Sequence, residues 1–331
     1  MFRASVLRFF NKNNEKYSFS GSKRIRKCSS DSKSLENKVD PGIIVTSRQR
    51  EIGLVGINRP SVQNCLTDDL ALKLFKEIER IEDDPSILVG VLHGVGGTFC
   101  AGHDLNQINE QTFSKTSSGL TRRILKKPFV CAMNGYCVGN GLELALMCDL
   151  RVIEDSCILG FLNRRFGMPL IDGGTARLPA MVGLSRALDM VLTGRHITAR
   201  EAFEMGLASR IVGNGTAVGQ AVSVAISVGK FPQKSLMHDR EALYRSAYDS
   251  PSFSNSANFE IDTITPEIIE EAISGSRRFA EGLGKGGKFH DIKKKPIPSW
   301  EEEEIAWEKK SRANTDKSNY GGHNSIITGY P

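Results

Sequence analysis

The sequence predicts an α/β fold, and three observations carry that expectation. Residues 87–92, 129–133, 150–153 and 209–212 are runs of the length expected for strands. A helical period of Leu70, Leu74, Ile78 and Ile81 lies before the first of these runs. A second helical segment, residues 139–147, separates the run at 129–133 from the one at 150–153. Strand and helix alternating in this order belong to mixed α/β architectures.

Order is expected to begin near Gly42. Ile43, Ile44 and Val45 precede a polar run from Thr46 to Glu51, and Leu54 to Ile57 follow it, which reads as two strands joined by a polar turn. Thr67 suits the N-cap of the first helix, with Asp68 and Asp69 in its favourable first turn. Pro85 ends that helix. The helix of residues 139–147 opens from the glycines Gly135, Gly139 and Gly141. Thr198 and Glu201 have the spacing of a capping box for another short helix. Beyond Gly215 the pattern is helical. Thr265 and Pro266 suit the N-cap and first position of a helix ending near Glu281. These late helices lack an evident further sheet to cover, so they are expected to pack between subunits.

Three domains of use are expected along the 331 residues. Residues 1–40 are a basic segment outside the fold, residues 41–283 are the folded domain with its C-terminal helices, and residues 284–331 are a polar, disordered tail. Residues 1–30 hold eight bases (Arg3, Arg8, Lys12, Lys16, Lys23, Arg24, Arg26 and Lys27) against the single acid Glu15. That excess is larger than the net charge of the whole chain, +6, so the basicity does not describe the domain and argues against nucleic acid as a partner. With Phe2, Val6, Leu7, Phe9, Phe10 and many serines, the segment reads as a mitochondrial targeting peptide. A disordered basic arm is the plainer alternative. No stretch reaches the roughly 18 apolar residues of a membrane span. The seven cysteines (Cys28, Cys65, Cys100, Cys131, Cys137, Cys148 and Cys157) form no C-x-x-C pair. They read as reduced, mostly buried thiols, with neither disulfide nor metal site expected.

Three segments carry the candidate chemistry. They are Gly97-Thr-Phe-Cys-Ala-Gly-His-Asp104, the stretch from Asn134 through Asp149, and the stretch from Leu159 through Thr175. A glycine-rich turn before an apolar helix exposes unpaired N–H groups at the positive end of the helix dipole. Such a place suits an anion, including one that forms in a transition state. Glu143, in the first turn, is either a favourable terminal charge or a placed acid/base. Each segment taken singly is also explained by close helix–sheet packing. Neither the dinucleotide fingerprint nor the P-loop pattern is present.

Together, however, Asn58-Arg-Pro60 with Asn64 and Leu66, Phe99-Cys-Ala-Gly-His-Asp104, Asn134-Gly-Tyr136, Glu143-Leu-Ala145, Cys148-Asp149, Gly173-Gly-Thr175 and Leu192-Thr-Gly194 resemble the crotonase (enoyl-CoA hydratase/isomerase) family. The resemblance runs from about Gly42 to Glu281. It implies a spiral of repeated ββα units followed by a helical trimerisation region, with trimers or hexamers as the assembly. It implies an acyl-CoA thioester as the substrate, no separate cofactor and no metal. The backbone N–H groups of His103 and Asn140 would form the oxyanion hole, Asn140 standing where the family usually has glycine. The imidazole of His103 then reads as a polar group near the pocket mouth. Glu143 matches the first of the two catalytic glutamates of family hydratases. The second is replaced by Asn163, whose amide can orient water but cannot exchange a proton. Contacts to coenzyme A or substrate would fall on Ser61, Val62, Gln63, Ala101, Asp104 and Leu105. Arg164 could bind a substrate carboxylate; it and Arg165 also read as solvated or intersubunit arginines. Asp172 reads as the cap of a helix starting at Gly173.

The function implied is that of an enoyl-CoA hydratase-like enzyme of fatty-acid or branched-chain acyl-CoA metabolism in the mitochondrial matrix. Isomerisation, decarboxylation or thioester hydrolysis would use the same enolate. A catalytically weak acyl-CoA-binding scaffold is the reading from another class.

Overall fold

The structure is a computed structural model, and it describes residues 44–107, 121–249 and 252–284. The expected targeting segment, Cys28 and almost all of the polar tail lie outside the described residues.

The chain begins with β1 (Ile44–Gln49) and β2 (Ile52–Ile57), an antiparallel pair. The expected polar turn is thus shorter than Thr46 to Glu51: residues through Gln49 belong to an edge strand whose last three residues are exposed, and only Arg50 and Glu51 turn. A short 3-10 turn at Pro60–Val62 leads to α1 (Asp68–Asp83). Thr67 caps α1 as expected, its Oγ1 accepting the Leu70 N–H at 3.2 Å. Leu70, Leu74, Ile78 and Ile81 are buried along one face. The strand β3 (Val89–Gly94) follows, and then β4 (Phe129–Met133), β5 (Tyr136–Val138), α2 (Asn140–Met147), β6 (Leu150–Glu154) and β7 (Ile158–Gly160).

After a 3-10 turn at Leu162–Phe166 come α3 (Gly174–Val182), α4 (Leu184–Thr193), β8 (His196–Thr198), α5 (Ala199–Glu204) and β9 (Arg210–Val212). Only half of the expected capping box forms: Thr198 Oγ1 accepts the Glu201 N–H at 3.2 Å, while the Glu201 carboxylate pairs with Arg195. The chain then becomes helical in α6 (Ala217–Gly229), α7 (Gln233–Tyr248), α8 (Phe253–Asp262) and α9 (Pro266–Ala280).

The large sheet has the order β1-β2-β3-β4-β6-β9, parallel except for β1. A small sheet has the order β5-β7-β8. From β4 to α3 the chain repeats one move twice. A strand enters the large sheet, the next joins the small sheet, and a helix returns it. Strands alternate their faces accordingly. Phe129, Cys131 and Met133 enter the core shared with α1 and α2, whereas Val130 and Ala132 face α6. This corrects one expectation: α6 does have a sheet to cover, because Ala217, Ala221, Val222, Val224 and Ala225 seal the outer face of the large sheet. The central strands β2, β3, β4 and β6 are buried on both faces, as parallel strands usually are. The later helices leave Leu243, Phe253, Ile261 and Phe279 exposed. No helix among the described residues is long and apolar enough to cross a membrane.

Candidate active site

The site is assembled at the start of α2. This helix is buried all round, and its only polar side chains are Asn140 and Glu143. Its first turn lies against the segment at Cys100: a Cβ on Gly141 would overlap the Cys100 carbonyl oxygen, so only glycine allows the approach. The same segment runs beside β5, with Cys100 N–H donating to Tyr136 O at 2.9 Å and Val138 N–H to Cys100 O at 3.1 Å. Its continuation pairs with residues near Leu66, where Leu66 N–H donates to Gly102 O at 2.8 Å and Asp104 N–H to Leu66 O at 2.7 Å. His103 and Asn140 are thereby brought to one place. A Cβ built on Gly102 would lie 3.5 Å from the Asn140 nitrogen. Neither the His103 N–H nor the Asn140 N–H donates to an acceptor among the described residues. Two free backbone donors at a helix N-terminus can stabilise a developing oxyanion.

Glu143 is fully buried. Its Oε1 accepts the N–H of Gly174 at 2.9 Å and of Asp172 at 3.0 Å. Its Oε2 accepts Asn140 Nδ2 at 3.1 Å. Burial foremost, and then the neighbouring Asp172 carboxylate, push the Glu143 carboxyl up to about 7; the two N–H donors and Arg177 act the other way. A carboxyl poised there can both give and take a proton near neutrality.

Asp172 does not cap a helix. Gly173 occupies the N-cap of α3 in the left-handed region (φ 86°), with no side-chain cap bond. The Asp172 carboxylate instead accepts Asn140 Nδ2 through its Oδ2. It is buried, and burial raises its pKa against the lowering influence of Asn140, His103 and Arg122. The sequence reading missed this acid and the side chain of Asn140, of which it used only the N–H. The one available signal was an acid directly before a glycine pair, which a cap explains equally well until the backbone angle at Gly173 is known.

Asn163 sits in the 3-10 turn, its Cβ and Cγ 3.7 and 3.9 Å from a Cβ built on Gly139. Its Nδ2 donates to Met168 O at 3.1 Å, and its buried Oδ1 has no donor among the described residues. The Nε2 of His103 is likewise buried without a partner. Arg164 is exposed beside Gly194, where Arg165 donates to the carbonyl at 3.1 Å.

The remaining expected contacts are brought close to one another. Ala101 N–H donates to Gln63 O at 3.0 Å, and Gln63 Oε1 accepts Thr98 Oγ1 at 2.7 Å. Ser61, Val62 and Leu105 are exposed on the adjoining rim. Asp104 lies 3.8 Å from Arg59. The buried amide of Asn64 fastens this strip to the loop after β3, donating to Val95 O at 3.0 Å and to Thr98 O. The six described cysteines are free thiols. Burial raises the pKa of five of them, Cys65, Cys100, Cys131, Cys137 and Cys157.

A spiral of strand–strand–helix units with two free N–H groups at the start of a helix that carries a buried glutamate defines a crotonase-fold protein. Residues 47–282 match the sequence profile of the family described as enoyl-CoA hydratase/isomerase, and the chain belongs to that family. Among its relatives is the 2,3-dehydroadipyl-CoA hydratase of Escherichia coli, 36% identical over 216 residues, which cover 61% of this chain and 82% of that one. Enoyl-CoA hydratase EchA19 of Mycobacterium tuberculosis is 31% identical over 255 residues, 73% of this chain and 94% of the relative. A Dictyostelium discoideum protein named "Probable enoyl-CoA hydratase, mitochondrial" is 30% identical over 209 residues, 61% of this chain and 75% of its own length. Among solved structures, an enoyl-CoA hydratase subunit from Geobacillus kaustophilus superimposes with a TM-score of 0.68 at 27% identity, covering 72% of this chain and 95% of that one.

Proposed function

We propose that this protein hydrates an enoyl-CoA thioester. The observation that carries the reading is the buried Glu143 carboxyl, poised near neutrality beside the two unpaired N–H groups of His103 and Asn140. The thioester oxygen is placed between those donors. As water adds at the β-carbon, negative charge grows on that oxygen, and preorganised donors in a buried site stabilise it more in the transition state than in the ground state. Glu143 moves the proton. The strip of Ser61, Val62, Gln63, Ala101, Asp104 and Leu105 takes the coenzyme A side of the substrate. Arg164, exposed next to Asn163, is open to a carboxylate on the acyl chain. Coenzyme A comes with the substrate, and no further cofactor is needed for the addition of water.

Asn163 favours a second reading, in which the same enolate is formed and then isomerised, decarboxylated or hydrolysed. The test is a mass-spectrometric screen of the full chain against crotonyl-, 3-enoyl- and methylmalonyl-type CoA thioesters. Hydration of an enoyl thioester, lowered by about 10²–10⁴-fold in Glu143→Gln, is the expected result for a positioned acid/base. Isomerised, decarboxylated or hydrolysed product without hydrate would select the second reading. Binding without turnover of any of them would select the scaffold.

The further reading is a mitochondrial trimer or hexamer in fatty-acid or branched-chain acyl-CoA metabolism. It is supported by the basic, serine-rich residues 1–30 and by the exposed apolar side chains of α7, α8 and α9.

A further inference from the structure

The buried acid beside Glu143 has no role in the mechanism above. Asp172 stands directly before Gly173 and Gly174, and the left-handed turn at Gly173 aims its carboxylate towards α2 rather than along α3. There a single atom, Asn140 Nδ2, donates both to Asp172 Oδ2 and to Glu143 Oε2. Both carboxylates therefore lie within one hydrogen bond of the same nitrogen, on the residue whose backbone N–H faces the oxyanion position. The backbone reinforces the pairing, since the N–H of Asp172 itself donates to Glu143 Oε1.

We propose that Asp172 is the second proton-transfer group of this site, performing the step for which Asn163 has no carboxylate, and that Asn140 is the residue that positions it. The inference rests on the hydratase reading. Two like charges so close do not both ionise readily, and the proton they hold belongs to the pair. Glu143 is faced by Asp172 and Arg177, and Asp172 by His103 and Arg122 as well as Asn140. The acid step is given to Glu143, whose carboxyl burial pushes up to about 7, and the base step to Asp172, whose Oδ2 accepts from the same Asn140 nitrogen.

The step then balances. Asp172 removes a proton from water as the water oxygen bonds to the β-carbon. The π electrons of the C=C bond move towards the thioester, whose oxygen carries the charge at His103 and Asn140. Glu143 delivers its proton to the α-carbon and the enolate collapses. When product leaves, the proton on Asp172 passes to solvent and Glu143 regains one, which restores the starting state.

This division of labour separates two reactions that a structural role would not. Exchange of the α-proton of a saturated thioester is the reverse of the protonation step and needs only Glu143 in its carboxylate form and the oxyanion donors, whereas hydration needs both acids. The full chain is assayed with crotonyl-CoA for hydration, and with butyryl-CoA in heavy water for α-exchange read by mass. Asp172→Asn is expected to lower hydration by about 10²-fold or more while α-exchange stays within a few-fold of wild type. Asn140→Gly, which keeps the backbone donor, should lower hydration more than exchange. Asp172→Asn that keeps full hydration, or that loses both reactions in parallel, overturns the proposal. Should that variant not fold, Asp172→Glu decides: it must retain hydration within about 10-fold, and parallel loss of both reactions overturns the assignment. Glu143→Gln separates the two levels of argument. If it abolishes both reactions while Asp172→Asn changes neither, only the role of Asp172 falls. If it leaves both intact, or if the wild-type chain performs neither, the hydratase reading falls and this inference with it.

Discussion

A Cβ placed on Gly174 would stand 2.8 Å from Glu143 Oε1, the oxygen that accepts the Gly174 backbone N–H at 2.9 Å. The absence of a side chain at Gly174 is thus what lets the peptide reach the carboxylate. Gly174→Ala forces Glu143 away from both N–H donors. Misplacing a reacting group by about 1 Å costs on the order of 10²-fold in rate. The expected outcome is a fall in kcat of about that size with little change in KM, accompanied by about 1–3 kcal/mol of lost stability in urea unfolding. Wild-type kcat in the alanine variant would count against the placement of Glu143.

The raised Glu143 pKa has a consequence for stability. In the unfolded chain this group ionises near 4.5, and in the folded chain near 7. Between these values the folded state binds more protons than the unfolded state, so stability falls as pH rises. The contribution is fully present below about 4.5 and is lost as pH rises through about 7. Its size is on the order of a few kcal/mol. Asp172, also raised by burial, acts with the same sign. Chemical unfolding at pH 5.5 and 8.5 should therefore show a difference that shrinks in Glu143→Gln. An equal difference in the two proteins would contradict the shift.

Asn163 offers hydrogen bonds but no exchangeable proton. Asn163→Ala is expected to lower kcat less than Glu143→Gln does. Its stability should change little beyond the loss of the bond to Met168 O, worth about 1 kcal/mol. Asn163→Glu restores the carboxylate found in two-glutamate hydratases, and crotonyl-CoA hydration should persist or rise. A larger loss in Asn163→Ala than in Glu143→Gln would move the main acid/base role away from Glu143.

The C-terminal helices are fastened to the sheet by Asp149. Its carboxylate accepts the Phe129 N–H at 2.8 Å, Arg240 Nε at 2.6 Å and the Tyr244 hydroxyl at 2.9 Å. Removing one partner of a largely buried ion pair strands the other, at a cost of about 3–5 kcal/mol. Arg240→Ala should cost about that much in urea unfolding. Arg240 donates to Asp149 and to Leu125 O rather than to Glu143, so surviving folded protein should keep its kcat. A cost below about 1 kcal/mol would place the pair among exposed ones.

Light scattering at micromolar concentration should give three or six chains per particle. Phe253 and Ile261 are among the most exposed large apolar residues, at 88% and 70%. Phe253→Asp with Ile261→Asp is expected to shift the particle towards the single chain. A monomeric wild type would remove the oligomer reading.

The sequence by itself determined the periodic elements and the glycine turn. The Leu70–Leu74–Ile78–Ile81 face, the cap at Thr67, the strand at Phe129–Met133 and Glu143 in the first turn of α2 follow from residue spacing and local backbone chemistry, which act over three or four residues. The ordered motifs also sufficed for the family. What the tertiary structure decided were relations between segments far apart in the chain. The partner of α6 was invisible because an apolar helix shows that it is buried, not against what. Asp172 was assigned to a cap because the same short sequence serves either use, and the choice lies in the φ angle at Gly173 and in Asn140, 32 residues away, waiting with a donor. Charge, burial and proton affinity at this site are properties of that meeting, and no local pattern in either segment contains them.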